Sequence, residues 1–242
     1  IVPITDENRI LAFYGLKLLN EKPRPGLKAI MDLAAVKKTM TINDAVFIFG
    51  PRINAAGRIE DAKHAVELLL SDNAEHALSA GKNINILNTE RKGLDLSITE
   101  HALQLIQEDE FFEKKKTTVL FHPEWNKGVV GIVASRLIDY YYRPTILLTQ
   151  SNGKATGSAR SVKDFDVYNA IEACADLLEQ FGGHRFAAGL TLKTENVAAF
   201  QKRFDEVVSA SIEERILVPE IEIDAEIDLK DITMEEDEVE DV

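Results

Sequence analysis

The stretch GPRINAAGRIE occupies residues 50–60, and how it is read decides how the first third of the chain is built. It follows DAVFIFG (44–50), a short apolar run with two Phe and one Ile, and precedes DAKHAVELLL (61–70), which has helical spacing. An apolar run of four to eight residues bounded by Gly and Pro fits a buried strand, so the segment reads as a strand-to-helix crossing. Gly and Pro serve such a turn for backbone reasons. Arg52, Asn54 and Arg58 do not, and that surplus of polar groups needs another explanation.

Upstream, residues 7–20 predict an amphipathic helix, EKPRPG a break, and LKAIMDLA (27–34) a second helix. With one candidate strand, residues 1–72 read as the end of an α/β unit. From Asn73 to about Glu110 there is no Pro, and Ala77, Ala80, Ile84, Leu87, Leu94, Ile98 and Leu105 keep a helical period. That predicts a linker helix of roughly 50 Å at 1.5 Å per residue. Residues 115–210 then read as a complete α/β domain. KTTVLFH and RPTILLTQ are strands, and GKATGSARS is a short strand or turn. GVVGIVASRLIDYY, VYNAIEACADLLEQF and ENVAAFQKRFDEVVSASI are helices, and GGHRFAAGLTLK is a loop and strand. EIEIDAEIDL (220–229) alternates with period two, as a half-exposed strand does. The resulting divisions are 1–72, a linker at 73–112, a domain at 113–215, and a last segment at 216–242.

The net charge of −13 argues at first against a nucleic-acid partner. Its distribution removes the objection. Residues 219–242 hold 12 acids and one lysine, which leaves the preceding 218 residues at −2. No apolar run approaches the ~20 residues of a membrane span. Charges at positions 6, 7 and 9 leave no signal peptide to read at the start. The lone cysteine, Cys174, permits no internal disulfide and agrees with a reducing cytoplasm.

Four stretches join Gly to polar groups that turns do not require: GPRINAAGR (50–58), HPEWNKGVVGIVASR (122–136), GSARS (157–161) and GGHRFAAG (182–189). In the second, a helix starting near Gly128 would offer N–H groups to an anion. In the third, Ser158 and Arg160 share one face of a strand. In the fourth, Gly182 and Gly183 let a backbone approach a ligand closely. Arginine matches phosphate oxygens in pairs, so together the four describe a phosphate-binding cleft. Plainer readings stand beside this one. Arg58 could pair with Glu60 or Asp61, Trp125 could be core, and His64 and His101 read as surface residues. The chain shows no dense Asp/His cluster for a two-metal site, no P-loop, no dinucleotide fingerprint and no nucleophile elbow. His122, Glu124 and His184 lack metal-ligand spacing.

Taken in order, GPRINAAGRIEDAKHAVELLL, HPEWNKGVVGIVASRL, GSARS and GGHRFAAG resemble the RecJ family, single-strand-specific 5′→3′ DNA exonucleases of the DHH phosphoesterase superfamily. The resemblance runs from residue 1 to about 230. It implies an α/β architecture: the end of a DHH domain, a long linker helix, a DHH-associated domain with a mixed sheet, and the start of an OB-fold at EIEIDAEIDL. It implies Mn²⁺ or Mg²⁺ in the intact protein, held by residues preceding this chain, with none bound tightly here. It implies a single-stranded DNA partner with a 5′ end, and by extension a single-strand-binding protein and a RecQ-type helicase in DNA repair and recombination. On matching motif positions, Arg52 and Arg58 lie in the motif that faces the substrate cleft, with Asn54 positioning the strand backbone, Ser158 and Arg160 form a pocket for the 5′-phosphate end, and His184 lies near the scissile phosphate in the Gly182-Gly183 loop. Two other readings stay open. One is an oligonucleotide or cyclic-dinucleotide phosphodiesterase of the same superfamily; the other is a binding module without catalysis.

Overall fold

The computed structural model describes residues 3–221, 223 and 225–228. The chain opens with α1 (Asp6–Glu21) and α2 (Pro25–Leu33), the latter started by a proline in its first turn, where a missing N–H costs nothing. Next come α3 (Ile42–Asp44), α4 (Gly50–Ile59) and α5 (Lys63–Leu70).

The expected strand at 44–50 is not one. Thr41 and Asp44 form a capping box that starts α3. Ala45–Phe49 continue it as a wide π-turn, and Gly50, in the right-handed helical region, passes directly into α4. Because π-turns skip a rung of the hydrogen-bond ladder, Pro51 fits within the helical run although it has no N–H to give. GPRINAAGRI is therefore itself a helix and not the turn before one. Ala55 and Ala56 are fully buried, which presses α4 close to its neighbours.

The long helix α6 runs from Ala74 to Gln107, 34 residues, capped at Asn73, whose side chain accepts the His76 N–H at 2.9 Å. Its buried positions fall in two runs at three- to four-residue spacing, Ala77, Gly81, Ile84 and Leu87 and then Asp95, Ile98, Ala102 and Ile106, which together form one stripe. The N-terminal half of the stripe joins a core with Leu19, Ala29, Ile30, Met40, Phe49 and Leu68. The C-terminal half joins another, with Trp125, Val129, Val133, Leu137 and Leu147. Gly81 permits the first contact: a methyl there would lie 3.3 Å from the Ala29 methyl.

Beyond α6 come β1 (Thr118–Phe121), α7 (Val130–Tyr140), β2 (Thr145–Ser151), β3 (Lys154–Arg160), α8 (Val167–Glu172), β4 (Gln180–His184), β5 (Ala187–Lys193) and α9 (Val197–Ser211). The sheet is mixed, in the order β1-β2-β3-β5-β4. β1 and β2 are parallel, and the other pairs are antiparallel. Two details differ from expectation. The helix expected to reach Phe181 stops at Glu172, a short 3-10 turn follows at Ala175–Leu177, and Gln180 already belongs to a strand. GGHRFAAG is the tip of a β4–β5 hairpin and not a loop. Of the period-two stretch at 220–229, expected to be a half-exposed strand, the described residues 220, 221, 223 and 225–228 carry no strand.

Side-chain alternation gives the sheet two unlike faces. One carries Ile146, Leu148, Ala159, Ala188, Leu190 and Leu192, and buries them against Val167, Ile171, Phe200, Phe204 and Val208 of α8 and α9. At roughly 1.5–3 kcal/mol per fully buried large apolar side chain, this is the main source of the domain's stability. On the other face, α7 covers Leu147 and the β2–β3 side, and leaves the β5–β4 side open.

Candidate nucleic-acid interface

The open half of that second face is built from registered rows. Ser158 on β3 pairs with Gly189 on β5, which pairs with Gly182 on β4. Two residues along, Arg160 pairs with Ala187, which pairs with His184. Strands lie about 4.8 Å apart, so Arg160 and His184 stand roughly 10 Å from each other across a floor of Gly and Ala. A methyl at Gly182 would meet nothing within 4 Å, and one at Gly189 only the Gly157 carbonyl at 3.9 Å. No packing within the described residues requires these glycines. Bare strand backbone of this kind suits close approach by a ligand. Gly183 is different: its φ is 153° and a methyl would lie 2.5 Å from the Ala188 Cα, so the hairpin itself requires glycine there.

The basic edge of the floor is assembled from three elements. Arg160 donates from Nε to Ser135 Oγ on α7 (3.1 Å) and from Nη1 to its neighbour's carbonyl, Ala159 O (2.7 Å). Gly131, the second residue of α7, makes room for it: a Cβ there would sit 2.9 Å from Arg160 Nη2 and 3.0 Å from Ser158 Oγ. Arg58, at the end of α4, donates from Nη1 to Gly128 O (3.0 Å), 70 residues away. Burial, and secondarily the charge of Arg58, lower the Arg160 guanidinium below its usual value. Among the described residues neither arginine has a carboxylate partner. The intrachain pairing open for Arg58 does not form: Glu60 faces His64 (3.6 Å), and Asp61 accepts the Lys63 N–H. Two guanidinium groups thus converge beside a serine hydroxyl with no carboxylate partner among the described residues.

Beside them lies a groove of about 490 Å³ lined by Val46, Phe47, Asn54, Arg58, Arg91 and Ile132, with Gly50 and Pro51. Asn54 is exposed on α4 and belongs to this groove. Arg52 turns elsewhere. Its Nε donates to Asn85 Oδ1 of α6 (3.0 Å) and its Nη1 to Ile48 O (2.9 Å), ties that fix α4 to the long helix. His184 is exposed at the end of β4, its Nδ1 accepting the Phe186 N–H at 3.3 Å.

The N–H groups at the start of α7 are less available to an anion than expected. Gly128 N donates to Asn126 Oδ1 (2.8 Å), and Val129 N and Val130 N to Asn126 O (3.0 and 3.1 Å). Trp125 is 6% exposed, with its indole donating to His101 Nδ1 (3.3 Å). His101 is accordingly half-buried against Trp125 and His122, and is not the surface residue expected, whereas His64 lies at the surface beside Glu60 and Glu67.

A buried ion-pair network went unread in the sequence. Asp95 on α6, 4% exposed, receives Arg136 of α7 through two bonds (3.2 and 2.7 Å) and Arg91 at 3.5 Å. The i,i+4 spacing of Arg91 and Asp95 was visible, but the partner 41 residues on was not.

Most of the chain resembles known proteins. The DHHA1 domain family matches residues 114–210. Over 238 residues the chain is 38% identical to the single-stranded-DNA-specific exonuclease RecJ of Bacillus subtilis, covering 97% of this chain and 30% of that protein. Against the RecJ of Escherichia coli it is 34% identical over 247 residues, covering 97% and 42%. The crystal structure of Thermus thermophilus RecJ in complex with Mg²⁺ superposes with a TM-score of 0.77 at 33% identity, covering 87% of this chain and 32% of that one. The same protein in complex with Mn²⁺ gives 0.78 at 31%, covering 88% and 31%. Among the described residues here, no group of three or more His, Cys, Asp or Glu is placed to hold a metal ion, so the residues present do not fit one. No helix among the described residues is long and apolar enough to cross a membrane. The chain thus spans 30–42% of the length of these curated relatives, is similar to RecJ in sequence and fold over the part they share, and carries a DHHA1 domain at residues 114–210.

Proposed function

We propose that this chain is the substrate-holding portion of a single-strand-specific 5′→3′ DNA exonuclease working in the cytoplasm in DNA repair and recombination. It would be divided as 1–72, 73–112, 113–215 and 216–242. The observation that carries the reading is the convergence of Arg58 and Arg160, without a carboxylate, beside Ser158 and a floor of bare strand backbone. Guanidinium groups bind phosphate oxygens in pairs. An uncompensated pair is therefore a natural seat for the terminal 5′-phosphate, with Ser158 Oγ–H as a further donor. Asn54 and Arg58 would guide the strand along the groove. His184, across the floor, would donate to a phosphate oxygen and steady the charge that builds there during hydrolysis. Arg52 contributes by holding α4 on α6.

The divalent ions named in the Thermus structures would supply water activation. With no donor set for them among the described residues, the role of this chain is to bind, orient and exclude duplex. A single-strand-binding protein and a RecQ-type helicase are partners consistent with that role. The test is fluorescence anisotropy with a single-stranded oligonucleotide bearing a 5′-phosphate or a 5′-hydroxyl, at two salt concentrations. The expected result is tighter binding of the 5′-phosphate. Arg160→Ala should remove that preference and reduce the salt slope by about one. Equal binding of both ends, unchanged in Arg160→Ala, would overturn the assignment. Degradation of the oligonucleotide on adding Mn²⁺ would overturn the view that this portion holds but does not cut.

A further inference from the structure

The phosphate seat accounts for affinity but not for the demand that the bases be unpaired. We propose that Phe186, at the tip of the β4–β5 hairpin, is a stacking platform for one unpaired nucleobase; the inference rests on the single-strand reading above. Phe186 is 53% exposed, although most large apolar residues of this domain are buried. One exposed aromatic would be ordinary by itself; its position is not. It follows His184 and Arg185 directly. Its ring centroid lies 6.1 Å from that of His184 at 69°, and the Arg185 guanidinium carbon stands 4.9 Å over the ring. The His184 imidazole thus lies against the ring on the same open face as the glycine floor.

The hairpin tip that carries the ring is tied down through its backbone. Phe186 O accepts the Ser161 N–H (3.0 Å), Arg185 O accepts the Val167 N–H (3.1 Å), and Phe186 N donates to His184 Nδ1. An exposed ring on a tied-down turn, flanked by a cation and next to the row Arg160–Ala187–His184, has what base stacking requires: a π-face, a neighbouring guanidinium and a nearby site for the backbone phosphate. Duplex bases are already stacked and paired and could not reach it, so Phe186 would set strand specificity where Arg160 sets affinity.

The experiment pairs Phe186→Ala and Phe186→Trp with Arg160→Ala in the 242-residue chain, using 5′-phosphorylated single strands that carry one abasic nucleotide moved along the first six positions. For the unmodified strand, Phe186→Ala should weaken binding about 5- to 150-fold, the range of one aromatic–base stack, and Phe186→Trp should restore it. At one abasic position, wild type and Phe186→Ala should bind equally. 2-Aminopurine at that position should be quenched by the wild type and not by Phe186→Ala. If Arg160→Ala loses affinity while Phe186→Ala stays within twofold on every strand, the platform is wrong and the single-strand reading stands. If the wild type binds no single strand at low salt, the reading and the platform fail together.

Discussion

Gly128 is where the first helical lobe touches the α/β domain, and its replacement by alanine tests whether that joint is as tight as the geometry says. A methyl on Gly128 would lie 2.8 Å from the Arg58 carbonyl carbon and 3.0 Å from the Arg58 Cα, and nearer still to the Arg58 oxygen. Ordinary carbon–carbon contact begins near 3.5 Å, so the end of α4 must retreat by at least about 0.7 Å to free the carbonyl carbon, and further to free the nearer oxygen. The obstacle is backbone, which cannot swing aside as a side chain can. Overpacking of this kind costs about 1–3 kcal/mol. The same movement stretches the Arg58–Gly128 hydrogen bond and displaces one of the two arginines of the anion seat. Gly93, mid-way along α6, is the control, because a methyl there meets nothing within 4 Å. Removing a helix glycine should add up to ~1 kcal/mol of stability. The same chemical change thus has opposite predicted signs at the two positions. Urea unfolding followed by circular dichroism measures both. Gly128→Ala should unfold earlier and bind 5′-phosphorylated single strands more weakly, and Gly93→Ala should unfold at the same urea concentration or later. Equal stability of the two variants would refute the claim that close approach of backbones sets this joint.

Three more outcomes follow from the same structure. Gly131→Ala meets first the ends of Arg160 and Ser158, which can move, and the Ser158 Cβ only at 3.2 Å; its stability should stay within about 1 kcal/mol of wild type while calorimetry shows weakened binding of a 5′-phosphorylated strand. Asp95→Ala strips the carboxylate from Arg91 and Arg136 and leaves Arg91 buried and unpaired, so denaturant unfolding should show a loss of about 3 kcal/mol. Cys174 is fully buried, and burial raises its thiol to about 11. A thiol-reactive disulfide reagent should therefore label it only as fast as the domain opens, and labelling of the native protein at the rate of a free thiol would contradict that placement.

The α/β half was the more legible part, because each strand there alternates or lies between clear turn signals. On β5 every second residue is buried, and the sequence pattern and the sheet face coincide. The AVFIF run was misread for a physical reason: five apolar residues carry no periodicity that separates strand from helix. The deciding signal was the T-x-x-D capping box at Thr41–Asp44, four residues upstream. The early end of α8 at Glu172 was hidden by a run of good helix formers, whose local preference lost to the sheet pairing of Gln180–His184. Within the candidate site, the residue types were readable but their directions were not. Arg52 and Arg58 are six residues apart on one helix, yet Arg52 turns to Asn85 and Arg58 to Gly128. Distinguishing them requires knowing which neighbour each side of α4 meets. The Asp95–Arg136 pair and the close approach permitted by Gly131 are likewise products of tertiary packing.

The 34-residue helix also acts as a phase lock. Both cores take their bearings from one rod, so the angle between the two halves of the groove is counted in residues. One residue inserted between Gly93 and Leu94 would turn the α/β half by about 100° and advance it about 1.5 Å, carrying Arg160 away from Arg58. Seven would return the azimuth to within about 20° but lengthen the rod by roughly 10 Å. Length change in this segment is therefore not graded: nearly every insertion or deletion breaks the groove at once, whereas the hairpin tip or the turn at Asn152–Gly153 could vary in length and leave it intact.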